Sequence, residues 1–405
     1  MNIANLPKRI LMFSRLNVWS MDDNKGAPSF YKTIKGYIDS GWELTLITPK
    51  GKNNNPVPNL NLINFNLLLS VFLKFPILRF FVNYLNVKYA EYKFYNIGRK
   101  LLNSNSENVI LYAYEVHGVK ASKKLSVKFN VPLVTRFQGT VLSGIKNNIF
   151  NRLLYYPHFS SLKTESDLVI MTNDGTLGDR VLYDLNNKSS KVLFLRNGID
   201  INFFEKVENN QLVNLKEKYN LKQTDKILLT VSRLAKWKKV ERAIHALNEV
   251  IKKDSNYKLI IVGDGDEKAN LIKLTENLQL KDYIIFAGAQ PHSLIKAYLK
   301  IANVFLSLYD LSNVGNPLLE AMILAKPIIT LNVGSTNSII SHEINGILLD
   351  INDLSKIPYY IDKICNSNEF AISLGENARK YAKDNFWTWN ERIKKEIENV
   401  ELLLK

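Results

Sequence analysis

Residues 227–238 read ILLTVSRLAKWK, a short apolar run with β-branched residues followed by a basic loop. The run has the length and composition of a buried strand. The same pattern recurs through the second half of the chain, where strands are predicted at Lys258–Val262, Tyr283–Phe286, Val304–Leu308 and Pro327–Thr330. Helical stretches separate these strands. The alternation predicts a parallel sheet that is covered by helices on both faces.

The first half of the chain repeats this alternation. Its predicted strands are Arg9–Phe13, Glu43–Thr48, Val109–Tyr112, Pro132–Thr135 and Leu168–Thr172. Because 405 residues exceed what one core usually holds, we expect two Rossmann-like α/β domains in series. The polar stretch at 200–225 separates them, so the predicted domains are 1–204 and 205–383, followed by a C-terminal helical segment at 384–405.

Composition restricts the compartment and the partners. The lone Cys365 provides no disulfide framework, and residues 1–10 do not read as a secretory signal, so a cytoplasmic location is expected. Residues 1–200 hold 26 Lys and Arg against 13 Asp and Glu, which gives this half most of the total charge of +16. An anionic partner is therefore predicted there. Since no nucleic-acid-binding motif is present, an anionic membrane surface is favoured over a merely solvated basic face.

The most apolar stretch is Asn61–Val87, which Lys74, Pro76 and Arg79 interrupt. Its uninterrupted part is too short to cross about 30 Å of hydrocarbon as a helix. Basic residues flank its aromatic and leucine side chains, as in segments that lie in the membrane interface. The stretch is therefore interpreted either as such an interfacial segment or as a pair of core helices.

Two cations follow the strand at 227–231. Ligands bind beyond the carboxyl ends of strands in open α/β sheets, so we expect Arg233 and Lys238 to face that crevice. A guanidinium fork and an ammonium group suit the paired oxygens of a diphosphate. The alternative is a solvated basic loop, because Lys236 and Lys239 stand beside them.

Residues 310–322, which read DLSNVGNPLLEAM, combine a loop with the start of a helix. Gly315 allows close approach of a ligand, and Pro317 suits the first turn of a helix. Backbone N–H groups at that helix start can bind phosphate. Glu320, one turn further on, is placed either to accept hydrogen bonds from ribose hydroxyls or to stabilise its own helix dipole.

With these two stretches the chain resembles family 4 of the glycosyltransferases, the glycosyl transferases group 1. The resemblance implies the GT-B fold, in which two Rossmann-like domains face each other across a cleft, with a C-terminal helix that crosses back to the first. Family members carry Gly-Arg-Leu, three variable residues and a lysine, and here Lys238 follows Ser-Arg-Leu. They also carry an acid eight positions before the glutamate that Glu320 matches. Ser312 stands there, and Asp310 substitutes for it if the loop is longer.

The resemblance implies a donor site in the second domain. Arg233 and Lys238 would neutralise the leaving diphosphate, Glu320 would hold the ribose, and Asp310 would act beside them. The remaining donor-side residues would be Gly263, Asp264, Asn313, Gly315, Asn316 and Pro317. Asp264-Gly265-Asp266 spells a possible metal motif, but two carboxylates alone are a poor magnesium site. No metal and no cofactor are therefore expected, since the nucleotide-sugar is a substrate.

The acceptor side is expected in the first domain. Gly26 would approach the donor phosphate or the acceptor. His117 matches a histidine often seen at this position in the family and is a catalytic candidate, with a structural histidine as the alternative. Arg136 would meet an anionic acceptor or a surface carboxylate, and Gln138 would orient a hydroxyl.

The implied reaction is sugar transfer with retention, from a nucleotide-diphosphate sugar to a glycan or lipid-linked glycan in cell-surface polysaccharide biosynthesis. The paired carboxylates of glycoside hydrolases have no counterpart in the sequence. Two alternatives stay open: a nucleotide-sugar epimerase of the same fold, and a catalytically silent protein that binds sugar nucleotides or membranes. The expected location is the cytoplasm or, peripherally, the inner face of the plasma membrane.

Overall fold

The computed structural model describes residues 7–16, 28–50, 57–67, 76–200, 203 and 208–404. The chain divides into two compact units. Unit 1 comprises Met1–Asn173, Leu177–Gly198 and Trp389–Lys405, and unit 2 comprises Asp174–Thr176 and Ile199–Thr388. The sequence placed the corresponding boundaries after residues 204 and 383.

Unit 1 is built on a parallel sheet of seven strands in the order β3-β2-β1-β4-β5-β6-β7. The strands are β1 (Arg9–Phe13), β2 (Glu43–Pro49), β3 (Asn61–Phe65), β4 (Val109–Tyr114), β5 (Leu133–Phe137), β6 (Leu168–Thr172) and β7 (Val192–Leu195). The helices are α1 (Pro28–Asp39), α2 (Pro76–Ser104), α3 (Val119–Phe129), α4 (Ile149–Leu154), α5 (Tyr156–Leu162) and α6 (Gly178–Asp184).

Strand β1 shows why both faces of this sheet are covered. Leu11 and Phe13 belong to one buried apolar cluster, and the alternate residues Ile10 and Met12 belong to another. Successive side chains of a strand point to opposite faces, so an unbroken apolar strand needs a layer of helices on each side.

Residues 61–87 differ from the prediction of a pair of core helices. Asn61–Phe65 is strand β3, paired in parallel with β2, and the part from Pro76 onwards opens the single long helix α2. Residues 68–75 lie outside the described part of the chain. The prediction of two core helices is therefore wrong for the first five residues, because sheet pairing with β2 decides their conformation rather than local apolar composition.

Unit 2 contains a parallel sheet of six strands in the order β10-β9-β8-β11-β12-β13. The strands are β8 (Lys226–Val231), β9 (Tyr257–Val262), β10 (Ile284–Gly288), β11 (Val304–Ser307), β12 (Ile328–Leu331) and β13 (Ile347–Leu349). The helices are α7 (Asn209–Lys218), α8 (Glu241–Val250), α9 (Lys268–Asn277), α10 (His292–Ile301), α11 (Asn316–Ile323), α12 (Ile357–Asn366) and α13 (Asn368–Asn385). The prediction of two Rossmann-like α/β units is confirmed.

The last long helix, α14 (Trp389–Glu401), packs with unit 1, where it contacts α1. Its buried face includes Trp389, Ile393 and Ile397, which join the apolar cluster on one side of the seven-stranded sheet. Among the helices that the structure describes, none combines the length and the hydropathy needed to cross a bilayer.

Candidate functional site

Strands β9, β8 and β11 are neighbours in unit 2 and end at the same edge of its sheet. The segments that follow them carry the predicted donor residues of this unit. The loop after β8 packs closely against the loop after β9, because Gly263 has a φ of +141° and a Cβ there would lie 1.8 Å from the Ser232 carbonyl oxygen. Only glycine tolerates both the torsion and the approach, so Gly263 positions the loop that carries the predicted cations.

Lys238 ends a short 3₁₀ turn, Lys236–Lys238, after β8. Its ammonium nitrogen lies 4.0 Å from the ring centre of Trp237 and 3.8 Å from that of Tyr309. Burial lowers the pKa of Lys238 to about 8, and the Asp174 carboxylate opposes the shift. Within the described ranges no carboxylate lies within ion-pair distance of this nitrogen. Lys238 is thus a largely buried cation, held by two aromatic faces and able to accept an anion.

Arg233 stands near the start of the same loop and is exposed to solvent. Leu234, the next residue, is buried and anchors the loop to the core. No carboxylate from the described part of the chain forms an ion pair with Arg233. Among the described residues, neither of the two predicted diphosphate ligands therefore forms an ion pair with a carboxylate.

Glu320 is buried in helix α11, and its carboxylate accepts a hydrogen bond from His292 Nε2 at 2.8 Å. The other ring nitrogen of His292 lies 3.5 Å from the Asp200 carboxylate. The imidazole therefore lies between two acids and fixes the position of Glu320. Sequence reasoning missed His292. The available signal was its place at the start of the helix that follows β10, at the same edge of the sheet.

Helix α11 begins as the sequence predicts. Gly315 is its N-cap in an extended conformation, and Asn316 and Pro317 form its first turn. The Gly315 carbonyl accepts hydrogen bonds from the N–H groups of Leu318 and Leu319, at 3.0 and 3.3 Å. The segment places the positive end of the helix dipole at the carboxyl edge of the sheet, where an anion is favoured.

The loop between β11 and α11 does not present all of its predicted residues. The Asp310 carboxylate pairs with Arg242 at 2.6 Å and lies 3.7 Å from the Lys239 nitrogen. The Ser312 hydroxyl donates to the Asp174 carbonyl oxygen. Asp310 therefore points to helix α8, where its carboxylate is paired with Arg242.

Asn313 is fully buried. Its side-chain oxygen accepts hydrogen bonds from Ser307 Oγ at 2.9 Å and from the Tyr309 N–H at 3.0 Å. The Ser307 hydroxyl and backbone groups take up the amide, so the expected donor-side role of Asn313 is corrected to a structural role.

Asp264 is exposed after β9, and its carboxylate accepts hydrogen bonds from the Gly265 N–H at 2.8 Å and from Lys268 at 3.1 Å. These bonds lower the pKa of Asp264. In the part of the chain that the structure describes, no three His, Cys, Asp or Glu side chains are grouped so as to hold a metal ion.

His117 follows β4 in unit 1 and lines a cavity of about 350 Å³ together with Arg15 and His158. Burial, the charge of Arg15 and the neighbouring His158 lower the pKa of His117 to about 3, so its imidazole is neutral near pH 7. Its Nδ1 atom is buried and has no hydrogen-bond partner among the described residues. Sequence reasoning found His117 but missed Arg15.

Arg136 does not reach an acceptor from its position at the end of β5. It is fully buried, and its guanidinium forms an ion pair with Glu396 of α14 at 3.2 Å. Burial alone would lower the pKa of Arg136, but the Glu396 carboxylate raises it. The expected contact with an acceptor or a surface carboxylate is replaced by a buried ion pair, whose partner lies 260 residues away in the sequence.

Gln138 is half-buried beside this pair. Its side-chain amide lies 2.7 Å from the Tyr114 hydroxyl, and its backbone N–H donates to Glu115 at 2.7 Å. Gly26 lies outside the described residues. The structure therefore separates the predicted acceptor residues: His117 lines a cavity, whereas Arg136 belongs to the core.

Residues 213–381 match the protein family described as Glycosyl transferases group 1. N-acetyl-alpha-D-glucosaminyl L-malate synthase of Bacillus anthracis is 26% identical over 58% of this chain and 59% of its own length. Alpha-monoglucosyldiacylglycerol synthase of Streptococcus pneumoniae is 30% identical over 37% of this chain and 35% of its own. The chain thus matches less than two thirds of the length of either relative.

The fold of the whole chain also matches a solved structure. HepE of Anabaena, solved in complex with UDP and glucose, superposes with a TM-score of 0.72 over 97% of this chain and 100% of that one, at 16% identity. At this identity the likeness concerns the fold, and it extends over both units.

Proposed function

We propose that this chain moves a sugar from a nucleotide-diphosphate sugar to a glycan or lipid-linked glycan acceptor, because residues 213–381 match the group 1 glycosyl transferases. Its two units have the GT-B fold that the sequence predicted. The proposed transfer proceeds with retention and serves cell-surface polysaccharide biosynthesis. The matched relatives support sugar transfer, since they are named for making a glucosaminyl malate and a glucosyl diacylglycerol.

The observation that carries the proposal is the surroundings of Lys238. A buried ammonium without a carboxylate partner is costly unless an anion neutralises it. A diphosphate would do so, and Arg233 in the same loop would bind its outer oxygens. As the bond from the sugar to the diphosphate breaks, negative charge grows on the leaving oxygen. Lys238 and Arg233 are proposed to stabilise that charge.

The acceptor hydroxyl forms the new bond at the anomeric carbon, on the face that the diphosphate leaves. Its proton passes to an oxygen of the departing phosphate, so that this step needs no protein base. Glu320 is proposed to accept hydrogen bonds from the ribose hydroxyls. The bond from His292 keeps one carboxylate oxygen in place for that contact. The proposed reaction uses neither a metal nor a cofactor, because the two cations neutralise the diphosphate.

Unit 1 is proposed to bind the acceptor and to meet an anionic membrane surface at the cytoplasmic side. The excess of basic residues in the first half of the chain supports this. A relative whose name includes diacylglycerol also supports a lipid acceptor.

The test is a thermal-shift screen of the full chain with UDP, GDP, ADP and their sugar conjugates, with and without magnesium. A ligand that binds only the folded state raises the apparent stability. We expect a selective shift that magnesium does not change. A shift that appears only with magnesium would contradict the metal-free part, and no shift with any nucleotide would contradict the donor site. Consumption of the donor without an acceptor would indicate an epimerase instead.

A further inference from the structure

Helix α4 carries a group of apolar side chains that face solvent. The fractional exposures are 80% for Ile149, 72% for Phe150, 63% for Leu153 and 45% for Leu154. No residue of this helix is buried. Single exposed apolar residues are ordinary on protein surfaces, but a contiguous group of four marks an interaction surface. We call these four residues the apolar tip.

Two residues of the apolar tip, Leu153 and Leu154, line the cavity that contains His117. Arg15 and His158 also line it. The remaining lining residues are Asn83, Tyr84, Val87, Tyr155, Tyr156 and Pro157. None of the described lining residues carries a carboxylate. The described lining therefore combines the cation of Arg15 with apolar side chains.

The interior has polar groups that lack a protein partner. His117 is buried with its Nδ1 atom unsatisfied among the described residues, and Arg15 forms no ion pair with any described carboxylate. Burial also lowers the pKa of Arg15, which shows that its charge is poorly solvated. An anion in the cavity would neutralise Arg15.

A second cationic surface adjoins the cavity through Tyr156. Lys88 and Lys120 both donate to the Tyr156 hydroxyl at 2.5 Å. Both lysines also line a neighbouring groove of about 700 Å³, together with Lys123 and Lys124. Glu91 lines this groove as well and pairs with Lys88 at 3.5 Å, so four lysines face one carboxylate there. Apolar side chains flanked by lysines are the arrangement by which peripheral proteins bind anionic membranes.

We propose that this cavity binds the anionic headgroup of a lipid-borne acceptor while the apolar tip enters the membrane leaflet beside it. The inference rests on the proposed transferase function and specifies its acceptor as an amphiphile with an anionic head. The headgroup lies against Arg15 and His117, and the acyl chains leave across Leu153 and Leu154. A water-soluble glycan would match the cationic interior but would leave the apolar tip uncovered.

The membrane contact is tested by co-sedimentation of the full chain with vesicles. Wild type is expected to bind phosphatidylcholine vesicles that contain phosphatidylglycerol, and to bind pure phosphatidylcholine more weakly. The variant Ile149→Ser/Phe150→Ser should lower the vesicle-bound fraction by about tenfold or more. The control Tyr359→Ser/Ile372→Ser, which changes two exposed apolar residues of unit 2, should bind like wild type. Equal binding by the tip variant, or no binding by wild type, would overturn the proposal.

The headgroup contact is tested without a membrane. Dihexanoyl phosphatidic acid below its micelle concentration should raise the melting temperature of wild type and of the tip variant, but not that of Arg15→Gln. Inorganic phosphate at the same concentration should give a smaller shift. An equal shift from phosphate would make the cavity a site for free anions, and an equal lipid shift in Arg15→Gln would remove the headgroup site. Either result overturns the lipid assignment.

A measurement of nucleotide binding distinguishes a failure of this proposal from a failure of the transferase function. UDP or another nucleoside diphosphate should stabilise the tip variant and wild type equally, because neither Ile149 nor Phe150 belongs to the donor site. Loss of nucleotide binding in wild type contradicts the transferase function. Normal nucleotide binding with unchanged vesicle binding in the tip variant contradicts only the lipid site.

Discussion

Arg136 stands near the carboxyl end of β5 in unit 1, and Lys238 stands in the loop that follows β8 in unit 2, yet their surroundings are opposite. Arg136 is fully buried and faces the Glu396 carboxylate at 3.2 Å. Lys238 is held between two aromatic rings at 4.0 and 3.8 Å and has no ion-pair partner within the described ranges. Both cations lie toward the carboxyl edge of a parallel sheet. The presence or absence of a carboxylate partner therefore decides which cation belongs to the core and which is available to a ligand.

The largest expected effect comes from removing the counter-ion in unit 1. Glu396→Gln keeps the shape of the side chain but leaves Arg136 and Arg392 buried with uncompensated charge. The free energy of unfolding should fall by about 3–5 kcal/mol, measured by urea denaturation. Glu398→Gln, an exposed position on the same helix, is the control and should change it by less than about 0.5 kcal/mol. Equal losses in the two variants would contradict the structural role of the pair.

The same carboxylate makes unit 1 sensitive to acid. Burial alone would raise the pKa of Glu396, but Arg136 and Arg392 lower it to about 2, from 4.5. Because the pKa is lower in the folded state, the stabilisation is fully present above about pH 4.5 and is lost as the pH falls towards 2. Acid titration should show this loss in wild type and a weaker one in Glu396→Gln.

The second effect concerns the cation without a partner. Lys238→Met keeps an unbranched chain between Trp237 and Tyr309 but removes the charge. We expect kcat/KM for sugar transfer to fall by about 10²–10³-fold, with little change in stability. Lys236→Met, exposed in the same turn, should retain activity within about twofold. A near-normal rate in Lys238→Met would remove the proposed diphosphate site.

The third effect is a pH dependence of the same residue. Because the pKa of free Lys238 is about 8, the unliganded protein loses this charge as the pH rises through that value. A diphosphate binds the protonated form, so its Kd should rise by up to about tenfold per pH unit above 8. Titration calorimetry between pH 7 and 9 measures this change in Kd. Lys238→Arg, whose charge persists, should flatten the dependence, and an unchanged slope would contradict this account.

The smallest effect is expected at Asp310. Its carboxylate pairs with Arg242 on a partly exposed surface, where such pairs contribute about 0–1 kcal/mol. Asp310→Asn should therefore keep transfer activity within about threefold. A loss of two orders of magnitude in transfer activity would indicate that Asp310 takes the role of the family's acid in whose place Ser312 stands.

The sequence predicted the elements of unit 2 well, because its motifs are local. Strand β8, the loop to Lys238 and the Pro317 helix start are each encoded within a dozen residues, so their positions could be predicted. Residues 61–65 could not, because their strand exists only through pairing with β2. The same holds for β7 and β13, which are short edge strands with few residues to mark them.

Side-chain surroundings were less predictable than elements. Arg136 and Asn313 are polar residues in loops or at strand ends, which suggests exposure, yet distant or backbone groups take up their hydrogen bonds. His292 gained its place beside Glu320 from the packing of α10, which no spacing in the sequence shows. A sequence predicts which groups are charged, but tertiary contacts decide which charges are already neutralised.

The placement of α14 has a consequence for synthesis of the chain. The ribosome makes the seven strands of unit 1 first, but the carboxylate that neutralises Arg136 arrives only when residue 396 has been translated. Until then the nascent first unit holds Arg136 without the carboxylate that pairs with it in the folded unit. Unit 2, which has all of its strands before that point, should thus reach its native state earlier than the unit that precedes it in the message.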